Sequence, residues 1–138
     1  MIILGINYQK KAKILLYSID LTVSAITKIE VLGWINASKK QLQPLYDFME
    51  IAHILPINDA VIEKTITIRQ AKKIALGDAI IAATALVYDL VIISRNVSDF
   101  KNIEGLQVID PYNTLQNHKN HPNTVVFAYR SDQTHCAT

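Results

Sequence analysis

Short aliphatic runs alternate with stretches whose apolar residues recur at helical spacing, from the first residue to about Tyr112. Residues 1–4 are apolar and stop at Gly5, as a buried first strand would. Residues 8–17 can form a helix with Ile14, Leu15 and Tyr17 on one side, and residues 21–25 read as a second strand. A helix over 26–35 follows, with Ile26, Ile29, Leu32 or Gly33, and Trp34 or Ile35 expected inward. Residues 39–52 carry Leu42, Leu45, Phe48, Met49 and Ala52 at the spacing of an amphipathic helix. Pro44 is comfortable only in a first turn, which moves the expected start toward Leu42 or Gln43. A third strand over 53–57 then gives way to Asn58 and Asp59, good N-cap residues for a helix to about Lys73.

The densest pattern lies at residues 76–100, LGDAIIAATALVYDLVIISRNVSDF. Its first half is apolar on nearly every face, and Ala79, Ala82, Ala83 and Ala85 let other backbones approach; such a helix belongs in a core. Leu90, Val91, Ile92 and Ile93 follow as a short strand of the central parallel kind. A helix antiparallel to its next strand brings Asp78, at its start, to the edge where Asp99 follows the strand's end, the edge where α/β proteins build their sites. A short helix is expected over 98–104 and a last edge strand over 107–110, stopped by Pro111. Strands alternating with helices predict an α/β fold, a parallel sheet covered on both faces. From Thr114 the chain turns polar around one apolar patch at 125–129, which is either a loose extension or an added strand.

Composition narrows the class. A chain of 138 residues is long enough for one domain with a real core. Half its residues are hydrophobic, and mean hydropathy is +0.18, so it is compact rather than disordered. A net charge of +2 does not by itself argue for nucleic acid. The clusters Lys10, Lys11, Lys13 and Arg69, Lys72, Lys73 can line a phosphate-binding face or be ordinary solvated helix surface. The single Cys136 excludes an internal disulfide framework and fits a reducing cytoplasm. The start, MIILGINYQKK, lacks signal-peptide order, and no apolar run approaches the ~20 residues of a membrane span, so a cytoplasmic location and no membrane partner are expected. His118, His121 and His135 with Cys136 match no standard zinc spacing.

LGDAIIAATAL followed by SRNVSDF resembles the second half of a PIN domain, in particular the VapC-type toxins of toxin–antitoxin pairs; the resemblance covers residues 1–112 and leaves 113–138 as an extension. It implies a PIN-like three-layer sandwich with a central parallel sheet of four to five strands. It also implies a ribonuclease dependent on Mg²⁺ or Mn²⁺, hard cations that take oxygen ligands. Glu30, Asp78 and Asp99 match three of the family's acidic positions and would hold the metal and serve catalysis. Where the family reads an aliphatic run and then Asp-Thr-Asn, this chain reads MIILGINYQ; Gly5 and Ile6 replace the first two and only Asn7 is kept. Weakened metal binding and reduced cleavage are therefore expected. Asp20 should lie at the wrong edge of the sheet to compensate, and Asp110 ends a strand away from its centre. Asn7, Ser94 and Asn96 are supporting candidates, and Arg95 with Asn96 can touch phosphate or simply hold the loop.

Each acidic residue also has a plain structural reading: Glu30 as a solvated helix carboxylate, Asp78 as a favoured first-turn residue, Asp99 as a helix cap. Three functional readings follow: a metal-dependent ribonuclease with an RNA substrate, a catalytically inactive PIN-like domain that binds RNA or an antitoxin, and a small α/β protein with structural carboxylates. The resemblance further implies a homodimer and a VapB-like antitoxin.

Overall fold

In a computed structural model of the chain, residues 20–94, 96–110 and 124–127 are described. The expectations placed on residues 1–19, on Arg95 and on the histidine-rich tail lie outside them. The elements run β1 (Asp20–Ser24), α1 (Ala25–Leu32), α2 (Lys39–Ile51), β2 (His53–Leu55), α3 (Asp59–Ala71) and α4 (Leu76–Val87). After them come β3 (Val91–Ile93), a 3₁₀ turn (Val97–Phe100), β4 (Val108–Ile109) and β5 (Thr124–Phe127).

Among the described residues the strands form one sheet in the order β2-β1-β5-β3-β4, and every pairing is parallel. Side chains alternate across it, as the two-residue period of a strand requires. Ile92 packs with Ile80, Ile81, Ala82 and Ala83 of α4 and Val61 and Ile68 of α3; its neighbour Ile93 packs with Val23, Val31 of α1 and Met49 of α2. Helices therefore cover both faces, the three-layer α/β sandwich that the alternating pattern implies. Among the described residues no helix is long and apolar enough to cross a membrane.

Helix α4 lies deepest. Ala79, Ile81, Ala82, Ala83, Thr84 and Ala85 are wholly buried, and Thr84 satisfies its hydroxyl by donating to the Ile80 carbonyl at 2.7 Å. Tyr88 caps it, and Asp89, with φ +54°, reverses the chain into β3. The 3₁₀ turn is shorter than the helix expected over 98–104. Asn102 at φ +63° and Gly105 at φ +78° take left-handed backbone that ends helical winding.

Two expectations are corrected. Helix α2 begins at Lys39 although Pro44 then falls in its second turn. Ser38 and Gln41 form a reciprocal capping box, Gln41 N–H donating to Ser38 Oγ at 3.2 Å and Ser38 N–H to Gln41 Oε1 at 2.9 Å. Pro44 is exposed, so water can solvate the carbonyl one turn back that it leaves unpaired. Helix α1 buries Thr27 and Val31, which leaves Ile29 on its outer face at 62% exposure, and its end at Gly33 leaves Trp34 and Ile35 outside the core at 43% and 68%. Of the two readings of the tail's apolar patch, the added strand is the one seen: Thr124–Phe127 lies between β1 and β3, Phe127 level with Val23 and Ile93.

Candidate metal and phosphate site

Strand direction decides where the chemistry gathers. β1 ends at Ser24 and passes at once into α1, which carries Glu30. β3 ends before Ser94, whose N–H donates to the Ile109 carbonyl at 3.0 Å, and the chain then enters the 3₁₀ turn that carries Asp99. Asp78 stands in the first turn of α4, which packs between these strands and α3. Ser24 Oγ lies 3.4 Å from Thr84 Oγ1, fixing the end of β1 on α4.

Glu30 and Asp78 are brought together. As a residue Glu30 is exposed, yet its carboxyl group rests on the backbone of Gly77; a Cβ added there would collide with Glu30 Oε1. Asp78 is next in the chain and only 7% exposed. Desolvation against α4, and secondarily the Asp78 charge, push the Glu30 carboxyl above its usual 4.5. Two carboxylates held in this way repel each other, and a divalent cation between them would relieve both penalties. The donor set suits Mg²⁺ or Mn²⁺, which accept oxygen ligands and keep several waters.

Asp99 is organised differently. Its carboxylate accepts a hydrogen bond from Asn96 Nδ2 at Oδ2. Asn96 is held in turn by its N–H donating to Ser94 Oγ at 3.0 Å and by Ser98 Oγ donating to its Oδ1 at 3.1 Å. Ser94 and Asn96 thus shape the loop around Asp99. Among the described residues no three His, Cys, Asp or Glu side chains converge closely enough to hold a metal ion, so Glu30 and Asp78 form a pair that Asp99 does not complete. Asn7 and Gly5 lie outside the described residues. Asp20 opens β1 at the opposite edge, four residues before Ser24, about 13 Å along the strand.

Sequence reasoning missed one participant. Lys72, grouped with Arg69 and Lys73 in a cluster that could face phosphate or solvent, points its Nζ at backbone carbonyls: Asp99 O at 2.9 Å, and Lys101 O. No local pattern announces a contact that spans 27 residues.

The PIN domain family model matches residues 2–106. Solved structures similar to the chain include a toxin-antitoxin complex from Klebsiella pneumoniae, with 34% identity and a TM-score of 0.62, covering 76% of this chain and 87% of that one. FitAcB from Neisseria gonorrhoeae matches with 26% identity and a TM-score of 0.62, over 80% and 91% of the two chains. VapBC-1 from nontypeable Haemophilus influenzae shares the fold, with 23% identity and a TM-score of 0.66 over 77% and 88%. No curated protein gives a significant match. A match over most of the chain, joined to an all-parallel sheet whose acidic residues stand on adjoining elements at one edge, has one consequence: the chain belongs to the PIN domain family.

Proposed function

We propose that this chain is the toxin of a VapC-type toxin–antitoxin pair, a metal-dependent ribonuclease that hydrolyses RNA phosphodiester bonds in the cytoplasm, with activity lowered by Gly5. Support comes above all from the convergence of Glu30 and Asp78, with the Glu30 carboxyl pushed up beside a second carboxylate. Membership of the PIN family and the likeness to a toxin–antitoxin complex at 34% identity support the reaction class and the partner. When bound, Mg²⁺ or Mn²⁺ supplies an activated water and stabilises charge on the scissile phosphate. Glu30 and Asp78 would hold the ion, with Asp99 as the third acidic residue of the site, although the three do not converge on one point in this structure. Asn96, itself held by Ser94, holds the Asp99 carboxylate, and Asn7, two residues beyond the Gly5 that stands where the family has an acid, would offer a neutral amide oxygen. A VapB-like antitoxin would cover the acidic edge, and the active form is a homodimer.

The test is cleavage of a mixed-sequence RNA with Mn²⁺ present or chelated, wild type against Asp78→Asn. Metal-dependent cleavage that vanishes in Asp78→Asn is expected; cleavage indifferent to both would overturn the assignment. A second reading, an inactive domain that binds RNA or antitoxin without cutting, is favoured by Gly5 and by the lack of a three-carboxylate cluster among the described residues. Binding of RNA without cleavage at millimolar Mn²⁺ would select it.

A further inference from the structure

Lys72 ends α3, its own N–H closing the helix on the Ile68 carbonyl at 3.0 Å. Its half-buried side chain leaves α3 and donates to two carbonyls of another segment, those of Asp99 and Lys101. These carbonyls stand at the exit of the 3₁₀ turn, where a helical segment runs out of internal donors. An ammonium group there satisfies them and complements the negative end of the turn. Between the two acceptors sits Phe100, only 3% exposed and packed in the α3–α4 core. The turn is therefore fastened at three points: Phe100 in the core, Asn96 on the Asp99 carboxylate, and Lys72 on the backbone that bears it.

We infer that Lys72 is a positioning residue for Asp99: its ammonium fixes the 97–101 backbone and so sets where the Asp99 carboxylate stands relative to Glu30 and Asp78. Lys72 has no role as a metal ligand, since an ammonium group has no lone pair to offer, and two of its three donors are engaged by backbone carbonyls. Arg69 and Lys73, both exposed, remain the members of that cluster open to solvent. The inference rests on the reading of Asp99 as a metal neighbour only for its functional consequence; the fastening of the turn stands by itself.

Two readouts separate these. Lys72→Met keeps the length of the side chain and removes its donors; Lys72→Arg keeps the charge and donors. Hydrogen exchange would follow the peptide spanning the turn, where the Lys101 N–H bonds Ser98 O at 3.4 Å, with α4 as internal reference. Mn²⁺ titration would follow the site. Lys72→Met should speed exchange over 97–101 without changing α4. It should also weaken Mn²⁺ binding about tenfold, the scale typical of residues that hold a ligand in place. Lys72→Arg should recover both. Unchanged exchange over the turn in Lys72→Met would overturn the inference, as would faster exchange with Mn²⁺ affinity intact. Wild type that binds no Mn²⁺ would overturn the metal assignment instead, and exchange would still decide whether Lys72 fastens the turn.

Discussion

Substituting Gly77 by alanine isolates the Glu30–Asp78 pair from the stability of the fold. Gly77 lies in the first turn of α4 in ordinary helical backbone, so alanine brings no conformational strain. Replacing a helical glycine gains up to about 1 kcal/mol from propensity. The new methyl group, however, would occupy the seat of Glu30 Oε1, with Glu30 Cδ at 3.2 Å and Oε2 at 3.6 Å. That neighbour is the far end of an exposed, flexible side chain, and turning it aside costs about 0.5–1.5 kcal/mol if the new rotamer is imperfect. The two effects nearly cancel, leaving stability within about 1 kcal/mol and melting within about 4 °C of wild type. Metal binding has no such compensation. With Glu30 turned from Asp78, Mn²⁺ affinity should fall at least about tenfold, on the order of 1.4 kcal/mol. Thermal melting and the electron-paramagnetic signal of free Mn²⁺ measure the two quantities separately. Wild-type Mn²⁺ affinity in Gly77→Ala would refute the claim that Glu30 acts from its seat on α4.

Three further outcomes are expected. Deleting residues 113–138 removes β5, which pairs with β1 over four positions and with β3 over three, and would open two strand edges inside the sheet; calorimetry should lose its cooperative transition, whereas a wild-type transition would mean another segment fills the slot. Because the Glu30 carboxyl is raised above 4.5, the metal-free folded state holds a proton that the unfolded chain releases, so stability is fully present below 4.5 and falls as pH rises through the raised value. Glu30→Gln should flatten that decline in urea titrations, and an unaltered slope would count against the proton being on Glu30. Gly5→Asp should raise Mn²⁺ affinity and RNase rate together; no change in either would show that the fourth position does not reach the site.

Much of the central unit was readable because its signals are local. An alanine-rich helix, an aliphatic run and the Asn58 cap each belong to one element, and Asn58 Oδ1 does accept from the Val61 N–H at 3.0 Å. The start of α2 was misplaced because the expectation rested on Pro44 alone, and the exposed proline lost to the two donors that the Ser38–Gln41 box satisfies. The outward turn of Trp34 and Ile35 was hidden because an apolar period continued across Gly33, where the helix stops. A five-residue apolar run in polar surroundings names no partner strands, so only the sheet itself places Thr124–Phe127 between β1 and β3. At the site, Glu30 and Asp78 were legible as a motif. Lys72 was not, because its contacts are with backbone carbonyls, which any sequence presents.

Calorimetric titration of the purified chain with Mn²⁺, beside Asp78→Asn, tests the central claim most directly. Asp78 is the buried member of the pair and the one whose charge acts on Glu30. The account predicts saturable binding by wild type that is lost in Asp78→Asn while both proteins melt alike. Equal binding by the two, or none by wild type up to millimolar Mn²⁺, would contradict it.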